Sequence, residues 1–287
     1  MSTRSTPRRV LIVGQAEPDT VGDSYARTLS AHYDVRVFDP FESVLASLPL
    51  GNRARAFAGS AIYHASNIFF REPVALALPR LARVAASFAP DVVLVTAITT
   101  LPPRAVSKLR DGNRSARVIG VFSDHIANFA RGYFFTADYD ALFFKDRYVV
   151  TKLRDKLAWT HAFYLPQACD PSLHHPVTLT DEDRRVFGCD LTLAGNSHPF
   201  RAAQLACLGE RDLKIWGNAP PMWLDHPILK RHTERHVIGL DKCKAMTASK
   251  IVLNANHYAE IAGTNKRTFE VAAIGAFQLT DTPALRL

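Results

Sequence analysis

Lys266, Arg267 and Glu270 fall within one helical turn of each other in "GTNKRTFEVAAIGAFQLTD", residues 263–281. The stretch reads as a polar, basic loop that enters a short apolar helix, closes it at Gly275, where φ > 0 is often needed, and runs into a strand. Two cations beside the free backbone N–H groups of a helix start form a positive end suited to a diphosphate. Thr264 or Asn265 can cap that helix. Glu270 can accept hydrogen bonds from two neighbouring hydroxyls at once, and a ribose offers such a pair. A lone Glu at this position is otherwise a favourable charge near a helix N-terminus, paired with Lys266 at i−4. Its company of two cations, a closing glycine and a following strand favours the nucleotide.

A second cluster lies in "VFSDHIANF", where Asp124 and His125 end an apolar strand. A carboxylate beside an imidazole is a plausible acceptor of a hydroxyl proton, although Asp124 can equally cap a helix over "HIANFARGYF". The loop "GQAEPDTVGDSY", with Gly14, Gly22 and Asp23, follows the first strand and can border an acceptor. It is not G-x-G-x-x-G, so the dinucleotide fingerprint is absent. His174 and His175 stand together without complementary carboxylates and read as non-metal. The four cysteines, Cys169, Cys189, Cys207 and Cys243, form no C-x-x-C pair. That argues against zinc or a disulfide framework, and for thiols in a reducing, cytoplasmic setting.

The elements that must position these groups alternate. "RRVLIVGQ", "YDVRVFDP", "APDVVLVTA", "ARVIGVFSDH" and "YDALFFKD" are apolar strands separated by helical stretches, the first helix lying near Thr20 to Ala31. After a Pro-rich, polar stretch from Pro166 to Asp183, the rhythm begins again with "CDLTLAGN", "DLKIWGN", "RHVIGL", "KIVLNAN" and "AFQLTD". Continuous apolar strands between helices imply parallel sheets covered on both faces. The expectation is an α/β protein of two Rossmann-like domains, residues 1–168 and 169–287, facing across a cleft. Ligands in such folds bind beyond the carboxyl ends of the strands.

The 287 residues carry a formal charge of +8 at pH 7, which suits an anionic partner. The basic residues are dispersed and no nucleic-acid motif appears, so nucleic acid is not expected. A basic surface is compatible with peripheral contact to a membrane. "VALALPRLARVAASF" is interrupted by Pro79, Arg80 and Arg83, which rules it out as a spanning helix, and "MSTRSTPRRV" lacks the apolar region of a secretory signal.

Several of these segments together resemble the CgeB-like, spore-maturation-type glycosyltransferases of the group-1 clan, which have the GT-B fold. "GTNKRTFEVAAIGAFQLTD" resembles their donor-site segment, "DLTLAGNSHPFRAAQL" the opening of their second domain, "DLKIWGN" the next strand and "ASKIVLNANH" the strand before the donor loop. "GVFSDH" and "FYLPQACDP" resemble landmarks of the first half. The resemblance implies that Glu270 holds the donor ribose, while Arg267 and Lys266 face the diphosphate, with Asn265 at the helix start. It places Gly195, Asn196 and Arg201 on the first donor-side loop, Trp216 and Gly217 near the base pocket, and Asn254 and His257 at the strand end between them. From residue type alone Trp216 is more often core than a stacking platform, and His257 more often a satisfied imidazole.

Many relatives in the wider clan carry a second Glu eight residues before the ribose-binding one; Ala262 occupies that position here, with Glu260 nearby but out of register. The chain also ends at "DTPALRL", directly after a strand, where GT-B enzymes usually continue, so the second domain is expected to be truncated. The implied activity is metal-independent, cofactor-free transfer of a sugar from a nucleotide-sugar donor to an unidentified acceptor, whether glycan, protein or small molecule. The clan resemblance favours retention of the anomeric configuration, while a working Asp124 base favours inversion. The alternatives are a non-catalytic nucleotide- or glycan-binding protein, or an epimerase or hydrolase on the same fold.

Overall fold

The computed structural model describes residues 8–45, 76–129 and 132–281. The first seven residues of "MSTRSTPRRV", most of "DTPALRL", the start of "VALALPRLARVAASF" and two residues of "HIANFARGYF" lie outside them. The chain packs as two compact units. The first comprises residues 1–123, 127–144 and 152–163; the second comprises 124–126, 145–151 and 164–287.

In the first unit the elements run β1 (Arg9–Val13), α1 (Val21–Leu29), β2 (Asp34–Phe38), α2 (Pro40–Leu45), α3 (Leu78–Phe88), β3 (Val92–Val95), α4 (Pro103–Gly112), β4 (Arg117–Phe122) and β5 (Ala141–Phe144). α5 (Arg147–Leu157) and the three-residue strand β6 (Ala162–Tyr164) follow, and β6 is too short for an alternation pattern to reveal. The sheet order is β2-β1-β3-β4-β5-β6. β1 pairs in parallel with β2 and β3, β3 with β4, and β4 with β5. Leu11, Ile12, Val13, Val95, Val118 and Leu142 are wholly buried, as strands covered on both faces require.

α1 begins at Thr20, whose hydroxyl accepts the Asp23 backbone N–H at 3.3 Å. Asp23 in turn accepts from the Asp19 N–H and pairs with Arg27. Around Asn128, the expected helix "HIANFARGYF" is replaced by two 3-10 turns in the described flanks, Ile126–Asn128 and Tyr133–Phe135. Phe129 and the buried Phe134 pack edge to face there, 5.0 Å apart.

The second unit continues with α6 (Asp181–Phe187), β7 (Cys189–Ala194), α7 (Pro199–Leu205), β8 (Leu213–Trp216), α8 (Gly239–Thr247), β9 (Ser249–Asn254), α9 (Arg267–Ile274) and β10 (Gln278–Thr280). Its sheet, in the order β10-β9-β7-β8, is parallel throughout. Alternation along β7 divides the core. Leu191 and Leu193 pack with Ala202, Leu205 and Ile228, while Ala194 joins Trp216, Met246, Val252, Val271 and Ile274. Each such aliphatic side chain contributes roughly 1.5–3 kcal/mol on burial.

α6 starts in a capping box in which Thr180 and Asp183 exchange side-chain and backbone hydrogen bonds. "RHVIGL" is not a strand. The Arg235 carbonyl accepts a lone bond from Gly217, Val237 is buried, and the chain turns into α8 at Gly239. Its apolar residues anchor a connection instead of a ladder.

Candidate functional site

At the carboxyl ends of β7 and β8, Gly195 and Gly217 have φ of +150° and +153°. They bring two loops into backbone contact: a Cβ on Gly217 would meet the Gly195 carbonyl oxygen at 2.6 Å. A Cβ on Gly195 would collide with the Arg267 guanidinium and press on that of Arg201, so glycine here lets two cations approach the main chain. Arg201 reaches from α7 to the carbonyl of Asn196 and, at 3.0 Å, to that of Ala255. Its Nε is buried without a hydrogen bond. Burial first, and then Arg267, push the Arg201 guanidinium down to about 10, with Asp281 acting in the opposite sense. Arg201 still carries its charge at neutral pH, in a place where positive charge is crowded.

Glu270 lies in the first turn of α9 and is 2% exposed. Its Oε1 is 3.3 Å from Lys242 Nζ, 3.3 Å from Lys266 Nζ and 3.4 Å from His174 Nε2. Burial on its own would raise the carboxyl, but Lys242, Lys266, His174 and Arg267 outweigh it and hold the group below the ordinary value. Glu270 is therefore a buried carboxylate kept ionised, not a solvated charge on a helix end.

The loop from β9 to α9 is held by amides. Asn254 Nδ2 donates to Thr268 Oγ1 at 2.9 Å and Gln278 Oε1 at 2.8 Å, while its Oδ1 accepts from Asn265 Nδ2 at 2.8 Å. Asn265 also reaches Asn256 Oδ1, and Asn256 is tied to Asp281. Neither Thr264 nor Asn265 caps α9, whose cap is Lys266 in helical conformation without a side-chain bond. Their side chains are instead engaged with Thr268 and with the asparagine network. Gly275 does end the helix, at φ +79°.

Asp124 and His125, read from the sequence as residues of the first half, pack in the second unit. The His125 ring stacks on His257 at 3.8 Å and 6°, and His198 meets His257 edge-on at 6.0 Å. Burial, followed by neighbouring cations and imidazoles, lowers all three below the ordinary histidine value, with Asp124 opposing the shift. They are neutral proton acceptors at pH 7. Beside them Lys145 and Glu260 form a buried ion pair, and Asp146 accepts from the N–H groups of Ile261 and Ala262 at 3.1 Å each. Burial raises Glu260 in spite of Lys145, and its Oε2 is buried without a hydrogen bond.

Trp216 belongs to the core. It is 2% exposed and its indole donates to Thr192 Oγ1 at 2.9 Å, so its ring has no face for a base. The structure thus gathers Gly195, Asn196, Arg201 and Arg267, sets Glu270 with Lys266 within electrostatic reach of Arg267, and stacks His125 on His257 within reach of Arg201. Sequence reasoning missed Lys242 and Lys145 and read His174 as lacking a carboxylate partner, whereas Glu270 lies 3.4 Å from it. Lys242 had a legible signal, since it falls on the same face of α8 as Ala245 and Met246. A lysine on a buried stripe needs a buried partner.

Two kinds of comparison bear on the class of protein. Residues 199–285, from α7 through β10, match a family model described as glycosyl transferase-like. The matched segment contains Arg201, Arg267 and Glu270. No curated protein sequence matches the chain.

Among solved structures, an α-glucosyltransferase in complex with UDP and a 13-mer DNA containing an HMU base aligns at TM-score 0.57 and 10% identity, over 98% of this chain and 85% of its own. The UDP-GlcNAc 2-epimerase of Methanocaldococcus jannaschii aligns at TM-score 0.49 and 11% identity, over 96% and 85%. The glycosyltransferase SnogD of Streptomyces nogalater gives TM-score 0.42 and 16% identity, over 97% and 85%. The likeness to the α-glucosyltransferase is one of fold: α/β with two parallel-strand sheets, of the GT-B type. Among the described residues no helix is long and apolar enough to cross a membrane.

Proposed function

We propose that the protein is a glycosyltransferase that binds a nucleotide sugar in its second unit and passes the sugar to an acceptor hydroxyl without a metal ion. The observation that carries this reading is the crowding of Arg201 and Arg267 over Gly195, two guanidinium groups whose geometry suits a diphosphate. The ionised Glu270 nearby is the hydroxyl acceptor for a ribose. As the bond from the anomeric carbon to the diphosphate oxygen breaks, negative charge grows on the leaving group. Fixed guanidinium groups stabilise it where it develops. A new bond forms between that carbon and the acceptor oxygen, whose proton passes to a neutral imidazole, with His125 the best placed beside Asp124.

Inversion of the anomeric centre is the expectation if His125 takes the proton; the wider clan resemblance implies retention. Within the glycosyltransferases, the sequence segments favour a CgeB-like member, and the spacing of the cysteines favours a reducing, cytoplasmic setting. The test is twofold. Thermal unfolding with uridine, guanosine, adenosine, cytidine and thymidine diphosphates should show stabilisation by at least one, and Arg267→Ala should abolish it. Release of nucleoside diphosphate from a panel of sugar nucleotides should then exceed background in the presence of a suitable acceptor. No stabilisation by any of the five sinks the donor site; stabilisation without turnover on any sugar nucleotide or acceptor tried leaves a binding protein in place of an enzyme.

A further inference from the structure

We propose that Lys242 and His174 are positioning residues for Glu270, holding its buried carboxylate by Oε1 in one orientation toward the vicinal hydroxyls of a ribonucleoside diphosphate. The inference rests on the donor-site reading and extends it to two residues outside the donor loop. Glu270, Lys242 and His174 are 2%, 7% and 2% exposed, and they come from three separate parts of the second unit. The closest approach of each partner to Glu270, Lys266 included, is to the same atom, Oε1. Two ammonium groups and an imidazole gathered at one oxygen restrict how the carboxylate can turn.

The two residues differ from Lys266 in rigidity. Lys266 is 36% exposed at its side chain, on the same helix as its partner. His174 is instead fixed by a turn in which its backbone N–H and its Nδ1 both lie against the Asp170 carbonyl, at 2.9 and 3.2 Å. Ser172 closes the same turn onto Asp170 Oδ1 at 2.6 Å. Lys242 stands on the buried face of α8 between the two, 3.5 Å from His174 Nε2 and 3.3 Å from Glu270 Oε1. Without Lys242, the first of the charges that offset burial is lost, which shifts the carboxyl toward its protonated form. A neutral acid turns one acceptor into a donor, which a diol matches less well.

The experiment is calorimetric titration of UDP, GDP, ADP and CDP, of their 2′-deoxy counterparts and of inorganic diphosphate into the full chain and its variants. For wild type, the best-bound ribonucleotide should bind about tenfold tighter than its 2′-deoxy form, the effect of one charged hydrogen bond. Glu270→Gln, Lys242→Met and His174→Gln should each bring that ratio toward one, with inorganic diphosphate affinity changed by less than about twofold, since its contacts are made by the arginines. Lys242→Arg should recover most of the ratio. Should Lys242→Met fail to fold, as judged by its thermal transition, Lys242→Arg and His174→Gln decide the matter. A wild-type ratio retained in Lys242→Met and His174→Gln but lost in Glu270→Gln overturns the positioning role and leaves the donor site standing. A ratio unchanged in Glu270→Gln, or no binding of any nucleotide to wild type, removes the ribose assignment itself.

Discussion

In the first unit, β1 leaves its sheet through Gly14 into a loop and a helix capped by Thr20; in the second, β7 leaves through Gly195 into a loop and a helix that carries Arg201. On paper both are strand, glycine, polar loop and helix. In space Gly14 is pressed against the Thr96 side chain and Gly22 against the Gln15 carbonyl, while Asp23 is used up by Asp19 and Arg27. The glycines there serve packing, and the acid serves the helix end. At Gly195 the neighbours are two guanidinium groups, and Asp281 opposes the crowding at Arg201. The contrast teaches that a glycine after a strand is a poor sign of a ligand site by itself. Charge left crowded at the strand end is the better sign.

The comparison can be broken in several ways. Glu270→Gln removes one partner of a buried ionic cluster and should destabilise the fold by about 3–5 kcal/mol at neutral pH. The folded-state carboxyl is held below its ordinary value of 4.5, so its contribution is present above that value and lost as pH falls through the lower, folded-state one. Urea denaturation at pH 7 and at progressively lower pH should therefore show the difference between wild type and mutant shrinking in acid. A constant difference would mean that the charge of Glu270 does nothing for stability.

Gly14→Ala should lower stability by about 1–3 kcal/mol through overpacking and leave nucleoside diphosphate affinity within about twofold of wild type. Gly195→Ala should differ in displacing Arg267 and weakening diphosphate binding by about tenfold or more, the scale of one charged contact, beyond the stability lost to a side chain at φ +150°. If Gly14→Ala weakened binding at unchanged stability, the two turns would not differ in kind. Trp216→Phe loses the bond to Thr192 and should lower stability by roughly 1–2 kcal/mol, with no change in which nucleoside diphosphate binds best. A changed base preference would restore Trp216 to the pocket. Smallest of all, Thr180→Ala should cost about 1 kcal/mol in thermal or urea unfolding, without effect on ligand affinity.

Much of the fold was legible because strands buried on both faces must be written as apolar runs. "VLIV", "VVLV", "LTLA" and "KIVLN" all became strands, and Thr20 and Gly275 bounded helices where expected. "RHVIGL" misled because an apolar run of that length reads the same whether it joins a ladder or anchors a loop. The donor-side residues were partly legible. Arg267, Lys266 and Glu270 share one helical turn, so local spacing suffices to bring them near each other. Arg201 is far from Arg267 in sequence, and only the family resemblance joined them.

What the sequence determined by itself was therefore local: the periodicity of strands and helices, the helix ends, and the clustering of Lys266, Arg267 and Glu270 within a single turn. Those follow from backbone geometry over a few residues. Tertiary structure alone decided that Asp124 and His125 pack in the second unit, that His125 lies on His257, that Trp216 faces Thr192 and the core, and that Lys242 and His174 converge on Glu270. Each of these joins residues tens of positions apart. Their proximity is set by sheet order and by which face of a helix is buried, and no short stretch of sequence encodes either.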